Sequence, residues 1–143
     1  MRLADTYCSE AGGIVVPGFE IHDRVYMRAR VHEELARARR HKHPFAVLVF
    51  ELLPSSDGLL PHRKMDAGLQ ILNASVRDED SVGKAFDDTI VVLLIETDAL
   101  GAKDTLMRLR NRLTRIAGSW QVTAYTFPAH EQAIAQLPLL TAA

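Results

Sequence analysis

Phe45 to Leu52 reads FAVLVFEL, apolar throughout except for Glu51. A run this short, rich in valine and phenylalanine, is a strand and not a buried helix, and apolar side chains on both alternating sets mean that both of its faces are covered. Such a strand has to lie inside a sheet that carries helices, which rules out a helical bundle or an isolated hairpin. Pro44 stands just before it and ends whatever helix precedes.

The flanking sequence supplies the other elements. From Asp23, an N-cap type, Met27, Val31, Leu35 and Ala38 recur at helical spacing as far as about Lys42. Pro54 to Gly58 is a loop, and after Pro61 the residues Met65, Leu69, Leu72 and Val76 mark a second helix, which Gly68 weakens only modestly. Ser81 to Phe86 and Thr89 to Ile95 read as two strands joined across Asp87 and Asp88. Asp98 caps a third helix, with Ala102, Leu106, Leu109, Leu113 and Ile116 on one face and Gly118 as its stop. Trp120 to Phe127 is a last strand, and Glu131 to Leu140 at most a short helix. After the leading helix the order is strand, helix, strand, strand, helix, strand. That is the α+β pattern of ferredoxin-like and nucleotide-cyclase palm folds, an antiparallel-rich sheet flanked by helices. Residues 1–21, with the breaker pair Pro17-Gly18 and no sustained period, read as an N-terminal arm, and 22–143 as one domain.

Composition excludes several classes. The net charge of −1 argues against nucleic acid as a partner, while the local arginine groups (Arg37, Arg39, Arg40; Arg108, Arg110, Arg112, Arg115) leave an anion site open. A single cysteine, Cys8, gives no disulfide framework and suits a reducing compartment; it has no basic partner nearby in sequence that would make it a nucleophile. No apolar run approaches the roughly 18 residues of a membrane span, and Met1 to Val15 lacks a signal-peptide core, so the cytoplasm is expected. The six histidines form no metal-ligand spacing, and neither a metal nor a cofactor is expected. Trp120, Tyr125 and Phe127 alternate with other residues as sheet side chains do, which favours core over a base-stacking platform.

In detail the chain resembles the GGDEF diguanylate cyclase domain over about Asp23 to Phe127. Asp23-Arg24 followed by Glu33 to Arg40 is similar to the family's opening helix. Phe45 to Glu51 is similar to the strand that ends in its metal-binding aspartate, and Ile90 to Thr97 to the second strand of the signature hairpin. The departures fall on the chemistry. Where the signature stands in the family, this chain has Phe86-Asp87-Asp88-Thr89-Ile90. The family's glycines let the backbone approach GTP phosphates, a place that Phe86 fills with a ring and Asp87 with a repelling charge. Of the acidic pair that supports Mg²⁺ chemistry only Asp88 remains, Glu51 replaces the strand aspartate, and Leu53 is apolar where a second aspartate often stands. The short loop Pro54 to Pro61 replaces the guanine- and ribose-contacting segment, and the sequence stops before the family's final helix. The resemblance therefore implies no cyclase activity.

The resemblance also implies an inhibitory-site motif, R-x-x-D five residues before the signature. Arg77-Asp78-Glu79-Asp80 has that spacing, and a further arginine 18 positions beyond the signature falls on Arg108. Guanidinium forks suit phosphate and the guanine Hoogsteen edge, and a carboxylate suits guanine's donor edge. The implied function is a cyclic di-GMP receptor using Arg77, Asp80 and Arg108, with the nucleotide bound singly or as an intercalated dimer. Such a receptor regulates a partner protein, of the exopolysaccharide or motility kind, or acts as a homodimer. R-x-x-D is equally a common local ion pair, and Arg108, Arg112 and Arg115 equally a solvated face. A ligand-free interaction or dimerisation module is therefore the competing expectation.

Overall fold

The computed structural model describes residues 13–16, 19–55, 58–115 and 119–141. Two short strands, β1 (Gly13–Val16) and β2 (Phe19–His22), precede helix α1 (Arg24–His41). Asp23 caps α1 by accepting from the Tyr26 N–H at 2.9 Å, and Lys42 closes it in the left-handed conformation (φ 61°), its N–H on the Ala38 carbonyl. Strand β3 (Phe45–Leu53), helix α2 (Pro61–Ser75), the hairpin β4 (Ser81–Phe86) and β5 (Thr89–Ile95), helix α3 (Ala99–Leu113) and strand β6 (Ser119–Phe127) follow. Two short helices, α4 (Glu131–Ala135) and α5 (Pro138–Thr141), come last. Ile116 and Gly118, expected on and after α3, and Cys8 lie outside the described residues.

The sheet order is β1-β2-β4-β5-β3-β6. Its β4-β5-β3-β6 part is antiparallel throughout and is the ferredoxin-like, nucleotide-cyclase palm arrangement expected from the order of elements. β3 lies inside it, paired with β5 from Phe45↔Ile95 to Glu51↔Thr89 and with β6 from Phe45↔Phe127 to Leu53↔Ser119. Its alternation splits the core in two. Ala46, Leu48, Phe50 and Leu52 pack with Met65, Leu69 and Leu72 of α2 and Ala102, Leu109 and Leu113 of α3. Phe45 and Val47 pack with Met27, Val31, Leu35 and Ala38 of α1 and with Ile134, Leu137, Leu139 and Leu140 near the C-terminal end. Both faces are covered, which is why the strand reads as a nearly unbroken apolar run.

The sequence reading is corrected at the N-terminal side. Gly13 to Val16 and Phe19 to His22, read as part of an arm, pair antiparallel with each other, and β2 adds in parallel to β4 at His22↔Gly83. The sheet thus has six strands instead of four. The strands are only four residues each, too short for an alternation pattern to stand out. Gly83 makes the junction possible. A Cβ there would meet the Met27 side chain, with Sδ at 2.8 Å, and the His22 carbonyl oxygen at 2.9 Å. Gly68 likewise does more than weaken α2, since a Cβ there would stand 3.0 Å from the Trp120 ring of β6.

Candidate functional site

Two regions hold the residues singled out in the sequence. The first is the end of the β4-β5 hairpin. Ala85 is bulged out of register, Phe86 pairs with Thr89, and Asp87-Asp88 form the turn. The turn is pinned to β3 by the Leu52 N–H donating to the Asp88 carbonyl at 2.8 Å, which sets Glu51 opposite Thr89. Phe86 is half-buried, and the Arg24 guanidinium lies 5.0 Å from its ring centroid, a cation-π contact. Thr89 donates its hydroxyl to an Asp88 carboxylate oxygen at 2.9 Å. Ile90 is fully buried and belongs to the core between the sheet and α2.

A hollow of about 380 Å³ beside this hairpin is lined by Glu51 and Asp88 but otherwise mainly by apolar groups, among them Val49, Val91, Leu137 and Leu139. The family resemblance implies Mg²⁺-holding carboxylates at the positions of Glu51 and Asp88, which line this hollow. The donors present do not fit a pair of such ions: hard cations need several oxygen ligands each, and among the described residues Glu51 and Asp88 are the only carboxylates lining the hollow, one of them already bonded to Thr89. Among the described residues no three His, Cys, Asp or Glu side chains come together as a metal site.

The second region is a cleft of about 370 Å³ at the C-terminal end of β5, where Arg77, Asp80 and Arg108 come together with Glu96, Thr97 and Asp98. Arg77 and Asp80 belong to the turn between α2 and β4. The Asp80 side chain is only 2% exposed, and its carboxylate accepts from the Arg77 backbone N–H (3.1 Å), Arg77 Nε (3.2 Å), Arg77 Nη2 (3.3 Å) and the Ile95 N–H (3.0 Å). Arg77 Nη2 also donates to the Ile95 carbonyl at 2.6 Å and to Thr97 Oγ1 at 3.1 Å. The pair therefore ties the turn to the end of β5. The hydrogen bond to Asp80, more than any other influence, raises the Arg77 pKa and holds it protonated.

What Arg77 leaves open is its outer edge. The side chain is 53% exposed, and Nη1 has Glu79 at 3.5 Å. Arg108 approaches from α3, donating to the Ser75 carbonyl at 3.0 Å. Glu96 turns the chain at the rim in a left-handed conformation (φ 48°), uncommon for a residue other than glycine. The role expected of Asp80, accepting guanine N–H groups, falls to a carboxylate already bonded to four protein donors. Sequence reasoning missed Glu96, Thr97 and Asp98 as cleft residues. They enter the cleft because the Arg77–Asp80 turn hydrogen-bonds to Ile95, a long-range contact that no local pattern announces.

No protein-family model matches the sequence, and no curated protein matches it significantly. Solved structures do. A DGC protein from Thermotoga maritima superposes with a TM-score of 0.68 at 19% identity, covering 77% of this chain and 84% of that one. The GGDEF domain of FimX from Pseudomonas aeruginosa gives 0.69 at 12% identity, over 83% and 85%. The chain has the fold of GGDEF domains. A microbial GGDEF domain described in a novel interaction mode with bis-(3′,5′)-cyclic di-GMP gives 0.60 at 18% identity, over 81% of each chain. At these identities the likeness concerns the fold, and function has to come from the site.

Proposed function

We propose that this GGDEF-fold domain is a non-catalytic receptor for cyclic di-GMP that acts from the cytoplasm on a partner protein. The observation that carries the proposal is the convergence on one cleft of the Arg77–Asp80 pair and of Arg108, which is distant from it in sequence. In this reading Arg77 offers its outer edge and Arg108 its free donors to phosphate or to the guanine Hoogsteen edge. Asp80 aims Arg77 and is not itself a ligand group. The absence of cyclase activity is supported by Phe86 and Asp87 standing at the positions of the family's glycines, and by the thin set of carboxylates around Glu51 and Asp88. Among the described residues no helix is long and apolar enough to cross a membrane.

Calorimetric titration of cyclic di-GMP into the wild-type chain and Arg108→Ala tests the proposal. Saturable heat that Arg108→Ala weakens about tenfold is expected, the size of one charge-assisted contact. No heat with wild type sinks the receptor reading. The competing reading, a ligand-free interaction module, is favoured by one feature of the same cleft: Glu79, Glu96 and Asp98 surround Arg77 with negative charge that repels phosphate.

A further inference from the structure

Beyond Arg108 the surface changes sign. Arg108 also lines a wide groove of about 660 Å³ between α2 and α3, with Ile71 and Ala74 as apolar surface and Ser75, Asn111, Arg112 and Arg115 around them. Among the described residues no Asp or Glu lines this groove, in contrast to the neighbouring cleft with Asp80, Glu96 and Asp98. Positions 108 and 112 stand at i and i+4 on one face of α3, and Arg115, two residues beyond the last residue of the helix, lines the same groove.

The end of α2 orients two of them. Arg108 Nη1 donates to the Ser75 carbonyl at 3.0 Å, and Arg112 Nη1 to Ser75 Oγ at 2.9 Å, while that hydroxyl donates to the Ile71 carbonyl at 2.6 Å. Each arginine spends one donor this way and keeps the others. Arg115 has no side-chain hydrogen bond or ion pair among the described residues. The dipole of α3 favours basic residues in its last turn, but it does not choose a face, and Arg110 and Arg112 both satisfy it. The groove takes Arg112 and leaves Arg110 outside. Like charges at i, i+4, as at Arg108 and Arg112, weaken a helix, and a bound anion relieves that repulsion.

We infer that the α2-α3 groove is a binding site for a small organic phosphate. Arg112 and Arg115 hold the phosphate oxygens, Arg108 flanks them, and Ile71 and Ala74 contact the ligand's less polar part. A phosphate suits several guanidinium forks better than a single carboxylate does, because it presents more acceptor oxygens at higher charge. The site stands independently of the receptor reading, although the shared Arg108 allows one ligand to reach both places.

The test titrates the full chain with inorganic pyrophosphate and with GMP at low ionic strength. Saturable binding is expected, weakened about tenfold or more by Arg112→Ala and by Arg115→Ala, as for loss of a charge-assisted contact. Arg110→Ala, on the same helix and of the same charge, should stay within about twofold of wild type. Among the described residues Arg115→Ala breaks no side-chain hydrogen bond, so its loss of binding is separable from loss of structure by a parallel urea unfolding curve. Absence of saturable binding by wild type overturns the inference. Equal weakening by Arg110→Ala, or tighter binding of an arbitrary oligonucleotide that all three variants weaken alike, does the same by revealing a general polyanion surface. Pyrophosphate binding without cyclic di-GMP binding ends the receptor reading and supports this one; cyclic di-GMP binding without pyrophosphate binding does the reverse.

Discussion

Replacing Arg77 with alanine leaves the Asp80 carboxylate, 2% exposed, without its cation. Two side-chain bonds to Asp80 disappear, together with those to the Ile95 carbonyl and Thr97, whereas the backbone donors of Arg77 and Ile95 still reach Asp80. Breaking a fully buried pair costs about 3–5 kcal/mol. Arg77 is half exposed, so water replaces part of what is lost, and the expected destabilisation falls to about 2 kcal/mol. Asp80→Ala costs more, about 3 kcal/mol, because it also leaves two backbone N–H groups without their acceptor. The double variant should fall short of the sum by at least about 1 kcal/mol, since Arg77 has little to hold once Asp80 is gone. Urea unfolding of the four proteins measures this cycle. An Arg77→Ala effect below about 0.5 kcal/mol with no coupling would refute the view that the motif locks the turn to β5. A confirmed lock changes how ligand experiments are read: lost binding in Arg77→Ala then mixes contact with stability, and Arg108→Ala becomes the cleaner probe.

Gly83→Ala should destabilise by about 2 kcal/mol or more, because its methyl group collides with Met27 and the His22 carbonyl, and Met27→Ala in the same chain should recover part of that in urea unfolding. Phe50→Ala, at a fully buried position in the β3 core, should cost about 3–5 kcal/mol by the same assay. Burial, opposed by His62 and Lys84, raises the Asp66 carboxyl above its ordinary 3.8, so the folded state holds that proton more tightly than the unfolded one. The resulting stability is complete below about 3.8 and is lost as pH rises through the folded value, so Asp66→Asn should gain stability relative to wild type above that window and match it at acid pH. Incubation with GTP and Mg²⁺ should yield no cyclic di-GMP; product that Asp88→Ala abolishes would overturn the non-catalytic reading.

The elements that the sequence made legible are those whose cause is local and repeated. Asp23 and Asp98 declared two helix starts because each side chain accepts from a backbone N–H three residues on. FAVLVFEL declared a strand covered on both faces because its two residue sets enter two separate cores. What stayed hidden depends on distant neighbours. Nothing near Gly83 in sequence announces that Met27 and His22 press on it, and nothing near Gly68 announces Trp120. The β1-β2 hairpin was missed for a related reason, since it gains its place from β4, more than 60 residues away.

The site divides along the same line, and this division bears on what R-x-x-D means here. The family resemblance implied that Arg77, Asp80 and Arg108 act together, and they do line one cleft. Spacing could not reveal that Ile95 and Thr97 also claim Arg77, or that Ile95 claims Asp80. The two readings weighed for the motif, local ion pair and ligand site, thus describe different edges of the same side chains. The inner edge of Arg77 is committed to the fold, while its outer edge and the donors of Arg108 face the cleft. A fixed guanidinium loses less entropy on meeting a ligand than a free one, so a structural lock favours recognition of a ligand that tolerates the surrounding carboxylates. Guanine donor groups tolerate them better than phosphates do, which puts the stronger phosphate preference on the carboxylate-free side of Arg108. In direct titrations Arg112→Ala should accordingly weaken pyrophosphate binding more than guanosine binding, and equal weakening of both would remove the distinction between the two sides.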